Sequence, residues 1–130
     1  QRKLSARYAH YEDRIRASLN QQIPGAIVEV NLDISHPLAY GLDAVYHTLK
    51  TSSIHYEPQE SAWNVGKIAE DFNHYGFIGD HVQEKMDNTA VFIQKDIGRG
   101  SIIYLVDNPL FRSFWHQGVL LFSNAVFQVD

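Results

Sequence analysis

Residues 101–107 read SIIYLVD, a nearly unbroken apolar run, and residues 89–96 read TAVFIQKD just before it. The link DIGRG between them carries two glycines. Two strands joined by a short glycine loop are predicted to form a hairpin. An apolar run without alternation implies burial on both faces, as in the centre of a sheet covered by helices. The residues after the run tighten the constraint. Asn108 suits an N-cap and Pro109 a first helical position. Phe111, Phe114, Trp115, Gly118, Leu121, Phe122, Ala125 and Val126 then recur at helical spacing. A central strand feeding directly into a long apolar helix predicts an α/β fold.

The rest of the chain fits that expectation. Leu4, Tyr8, Tyr11, Ile15 and Leu19 form one stripe of an amphipathic helix, ended by Ile23-Pro24-Gly25. AIVEVNLD alternates as a strand, with Val28, Val30 and Leu32 on one face. AVYHTLK reads as a second strand, with Val45, His47 and Leu49 together and His47 expected inside. The pattern weakens between Thr51 and Tyr75, where WNVGKIA reads as a short strand in a long loop. Asp80 then suits the cap of a short helix, with Gln83 in capping-box spacing.

The chain has 130 residues, enough for one domain spanning residues 1–130 with its own core. Its net charge is −4, and its basic residues are scattered, with Arg2, Lys3 and Arg7 the densest group. This excludes the clustered Lys and Arg that nucleic-acid or anionic-membrane binding requires. No apolar run approaches the ~20 residues of a membrane span. The count of cysteines is 0, so disulfides, thiolate nucleophiles and cysteine zinc sites are ruled out. The chain starts at Gln1, which suits a processed product or a piece of something longer.

Few residues carry a chemical signal. His36 precedes Pro37, which favours extended geometry, and Gly41 offers a turn with positive φ. His36, Pro37 and Gly41 therefore read as a structural turn, because no nucleophile or orienting carboxylate is evident for catalysis. HVQE, His81 to Glu84, has a His-x-x-Glu spacing, but no third ligand accompanies it, so no metal is expected in this chain. No nucleophile elbow or phosphate-binding glycine loop occurs, and no catalytic residue is assigned. The start of the last helix is the best ligand candidate. Free N–H groups there attract anions, and Asp107, Asn108 and Arg112 are expected to cluster beside them.

The segments IPGAIVEVNLDISHPLAYGL, GFIGDHVQEKMDNTAVFIQKDIGRGSIIYLVDNPLFRSFW and LLFSNAVF resemble one known module. It is the class I glutamine-amidotransferase-like domain at the C-terminus of bacterial zinc carboxypeptidase-like proteins. The resemblance covers about residues 20–128. It rests on Asp33 to Gly41, Gly98 to Ile102, Phe111 to Trp115 and Leu120 to Ala125, with Arg99 and Ser101 as departures. It implies a three-layer, flavodoxin-like α/β sheet, of which this chain would be the second half, with a hairpin and a long C-terminal helix. It also implies a periplasmic or secreted parent whose zinc lies in a separate peptidase domain. The amidotransferase cysteine is missing, and no family catalytic residue maps onto any position here. The expected function is a non-catalytic accessory domain of a metallocarboxypeptidase, without a cofactor of its own. Its expected partner is the parent peptidase domain, or a second copy in a homodimer. The alternative is a small-anion or peptide-binding module with its site at Asn108–Arg112.

Overall fold

The computed structural model describes residues 10–129 apart from Glu12 and Phe114. Leu4, Tyr8 and Phe114 of the predicted helical stripes, and the basic group Arg2, Lys3 and Arg7, lie outside the described residues. Three α-helices are described: α1 (Asp13–Leu19), α2 (Asp80–Met86) and α3 (His116–Phe127). The strands are β1 (Gly25–Leu32), β2 (Val45–Lys50), β3 (Trp63–Lys67), β4 (His74–Phe77), β5 (Ala90–Ile97) and β6 (Gly100–Leu105).

The strands form one six-stranded sheet in the order β2-β1-β3-β5-β6, with β4 also on β1. Every pairing is antiparallel. β4 and β3 share one edge of β1: β4 takes Gly25–Val28 and β3 takes Asn31–Leu32. The sheet is strongly curled, a half-barrel. This corrects the expected flavodoxin-like, amidotransferase-like three-layer sheet. Parallel neighbours need a crossover connection, usually a helix, that returns the chain to the same end. Here β1 reaches β2 through a turn with one short 3₁₀ helix at Pro37–Ala39, and β5 reaches β6 through a tight glycine link. Such connections reverse the chain.

The apolar run behind the parallel expectation proves to be an edge. β6 alternates between exposed and half-buried residues, and Ile102 and Tyr104 are exposed. The strand buried on both faces is β5, where Ala90 to Gln94 are all buried. β-branched and aromatic residues suit any pleated surface, so their run does not by itself mark the centre of a sheet. In β2 the grouping of Val45, His47 and Leu49 is correct but their face is the outer one. Tyr46, Thr48 and Lys50 point into the core.

The last helix also begins later than expected. α3 starts at His116, not at Asn108–Pro109, because Arg112 and Ser113 take left-handed backbone angles (φ 50° and 58°) that no helix continues through. The preceding segment folds back onto the helix instead. A Cβ built on Gly118 would lie 1.9 Å from the Pro109 carbonyl oxygen, so only glycine permits this approach. Asp80 is not the cap of α2; Gly79 takes that position without a side-chain bond, and Asp80 sits in the first turn.

The core lies on the inner face of the sheet. Val28 and Val30 of β1, Tyr46 of β2 and Phe92 of β5 meet Leu38, Met86 of α2 and Leu121 of α3 there. The Tyr46 and Phe92 rings contact edge to face at 5.3 Å. Gly66 sits at a register break in β3, where a Cβ would lie 2.4 Å from the Phe92 ring. α3 is fastened to the turn after β1 by Asn124, whose Nδ2 donates to the Leu38 carbonyl at 3.0 Å and the Tyr40 carbonyl at 2.7 Å.

The outer face is different. Leu49, Ile27 and Tyr75 are consecutive cross-strand partners from β2 through β1 to β4, and Phe77 lies on the same face opposite Gly25. Tyr75 and Phe77 are exposed. α1 has no buried residue; its Ile15 and Leu19 are exposed, as is Tyr11 just before it.

Candidate functional site

The turn after β1 builds the most organised polar site. His36 has extended backbone geometry (φ −85°, ψ 138°), and Pro37 opens the 3₁₀ helix beyond it. The Leu38 N–H donates to His36 Nδ1 at 3.1 Å. That bond places the ring proton on Nε2, which donates to Gln94 Oε1 at 2.7 Å. Gln94 Nε2 in turn donates to Asp96 Oδ1 at 2.8 Å. The imidazole therefore caps the 3₁₀ helix with one nitrogen and holds β5 with the other. Gly41 ends the turn at φ 76°.

Around this chain of bonds lies a cavity of about 470 Å³ whose lining includes Asp33, Ser35, His36, Trp63 and Gln94. Asp33 Oδ1 accepts from the Ser35 N–H at 3.0 Å and from the Ser35 hydroxyl. These bonds, with smaller help from the Lys67 charge, hold its carboxyl below the usual aspartate range. Trp63, the first residue of β3, is 59% exposed, and its ring centroid lies 6.3 Å from that of His36.

The expected cluster at the last helix does not assemble around a helix start. Asp107 turns inward, and its Oδ1 meets Lys50 Nζ at 3.2 Å. Its Oδ2 accepts from the Thr48 hydroxyl at 3.4 Å. Burial pushes the Asp107 carboxyl up, with the Lys50 charge and the bonds from Lys50 and Thr48 opposing it. Asn108 Oδ1 accepts from the Leu110 N–H at 3.0 Å, and the Arg112 guanidinium lies 5.2 Å from the centroid of the Phe111 ring. His81 and Glu84 are both well exposed and 3.7 Å apart. Among the described residues no three His, Asp or Glu side chains gather as a metal site.

Sequence reasoning found His36 but missed its partners. Gln94 lies 58 positions away, and Trp63 fell in the weakly patterned stretch. Lys50 was missed because a lysine at the end of a strand normally reads as exposed. The chain matches no protein-family profile, no curated protein and no solved structure.

Proposed function

We propose that the chain is a non-catalytic accessory module that packs on the remainder of a longer, peptidase-type protein. The observation that carries this reading is the outer sheet face, where Leu49, Ile27 and Tyr75 form one cross-strand row with Phe77 beside it. Tyr75 and Phe77 are exposed there, and elsewhere Ile15 and Leu19 of the wholly unburied α1 are exposed too. Exposed apolar side chains grouped on one sheet face in this way mark an interaction site. The motif resemblance to zinc carboxypeptidase-like proteins supplies the occupant, the parent's peptidase domain. It also supplies a periplasmic or secreted setting. Its amidotransferase-like fold does not carry over, because the sheet is antiparallel. Zinc chemistry in this reading belongs to the parent.

Hydrogen exchange tests it, comparing the 130-residue chain with the same residues inside the polypeptide encoded by the complete reading frame. Slower exchange in β4 and α1 within the longer protein is expected, and its loss in a Tyr75→Asp, Phe77→Asp variant. Identical exchange in both contexts would sink the reading. So would protection that the isolated chain already acquires as its concentration rises, which would make the occupant a second copy.

A further inference from the structure

We propose that the cleft around Trp63 is a binding site for a neutral saccharide. Trp63 stands on a rigid base, since its backbone pairs with Gln94 across β3 and β5. A large indole left 59% exposed on a strand forgoes most of the burial that tryptophan normally contributes. Here it forms a wall common to two hollows, the cavity of about 470 Å³ and a second of about 290 Å³ that reaches Glu60 and Asp96. The larger is in the size range of small-molecule sites.

The polar groups are set before any ligand arrives. Gln94 is 6% exposed and is held at both ends, by His36 at its oxygen and by Asp96 at its nitrogen. A primary amide has two lone pairs and two hydrogens, so each end keeps capacity for another bond of known direction. Asp33, Glu60 and Asp96 add carboxylate acceptors, and among the described residues no lysine or arginine lines either hollow. An anionic ligand is disfavoured by that charge. An ammonium group is normally enclosed by several aromatic faces, and among the described residues the indole is the one large ring here. A flat apolar face beside directed amide and carboxylate groups matches a sugar ring, which offers a C–H face and a rim of hydroxyls. Hydroxyl-to-carboxylate bonds are among the strong ones.

The two tryptophans make the test internally controlled. Trp115 donates its indole N–H to the His47 carbonyl at 2.8 Å and does not line the cleft. The two indole N–H signals of the ¹⁵N-labelled chain are followed while a glucose trisaccharide, an N-acetylglucosamine trisaccharide, trilysine or inorganic phosphate is added. Saturable movement of the Trp63 signal with either saccharide, in the millimolar range or tighter, is expected while Trp115 stays fixed. Trp63→Ala is expected to weaken that binding at least about tenfold without moving the thermal midpoint, since an exposed side chain holds little of the fold. No saturable movement with either saccharide overturns the proposal. Movement with trilysine or phosphate in their place does so too, as does saccharide binding that survives Trp63→Ala.

Discussion

Lys50 and Asp107 form a buried ion pair, Nζ 3.2 Å from Oδ1, between side chains only 1% and 5% exposed. Lys50 Nζ also donates to the Ile54 carbonyl at 2.9 Å, so the pair ties the loop after β2 to the segment after β6. Removing one member strands the other charge in the core, which costs about 3–5 kcal/mol in comparable pairs. Lys50→Met and Asp107→Leu are each expected to lose about that much in urea unfolding. The double variant is expected to recover most of the loss, because two apolar side chains of similar volume leave no charge unpaired. Additive losses in the double variant would show that packing rather than charge pairing dominates.

Tyr46 gives a pH prediction of definite sign. Burial pushes its hydroxyl from the ordinary value of 10.0 up to about 12, with Asp107 adding a little and a bond with Trp115 opposing. A raised acid pKa means that the folded state holds the proton more firmly than the unfolded state. The stability from this group is therefore fully present below the ordinary value and lost as pH rises to about 12. Absorbance titration of tyrosinate is expected to show a step near the upper value that vanishes in Tyr46→Phe. The urea midpoint of the natural chain is expected to fall more steeply with alkaline pH than that of the variant. Parallel curves would remove Tyr46 as the cause.

What could be read from the sequence was local. The β5–β6 hairpin was legible because apolar runs flank Gly98, which takes φ 63° at the turn. The alternation of β1 correctly grouped Val28, Val30 and Leu32 on one face, which the structure buries. Alternation also grouped the residues of β2 correctly, but it tells which residues share a face, not which face is inner. Thr48 and Lys50 look like a solvent face until Asp107 arrives from 57 positions beyond Lys50 to meet the charge. The antiparallel topology was hidden for a similar reason. Direction is set by the connections, and the 33–44 turn is organised by His36–Gln94 and Asn124 contacts that no local pattern announces. The start of α3 was misplaced because Asn108-Pro109 is a good helix opening in isolation, whereas Gly118 packing on Pro109 requires that segment to turn back.

Asn124 tests the fastening of that turn. It is 3% exposed and satisfies two backbone carbonyls with one amide nitrogen. Asn124→Leu fits the helix better by propensity but leaves Leu38 O and Tyr40 O without these donors. Unsatisfied buried groups cost about 1–3 kcal/mol each, so a net loss of about 2 kcal/mol is expected. Asn124→Asp, which sets a carboxylate against two carbonyls, is expected to be worse. Faster amide exchange at Ala39 and Tyr40 in both variants would locate the damage in the turn; unchanged stability in Asn124→Leu would show that the carbonyls find other donors.

Gly118 and Gly100 make a matched pair. In an exposed helix, glycine to alanine stabilises by about 1 kcal/mol. At Gly118 the new methyl would stand 1.9 Å from Pro109 O, a backbone atom, so either α3 or the Pro109–Ser113 segment must move. Overpacking of this kind costs about 1–3 kcal/mol, which outweighs the propensity gain. Gly118→Ala is therefore expected to lower the thermal midpoint and to displace α3 from Leu38, seen as weakened protection of the Asn124-bound turn. At Gly100 nothing lies within 4 Å of an added Cβ and φ is not left-handed, so Gly100→Ala is expected to stay within about 0.5 kcal/mol of the natural chain. A neutral or stabilising Gly118→Ala would mean that the close approach of Pro109 to α3 is not what sets where the helix begins.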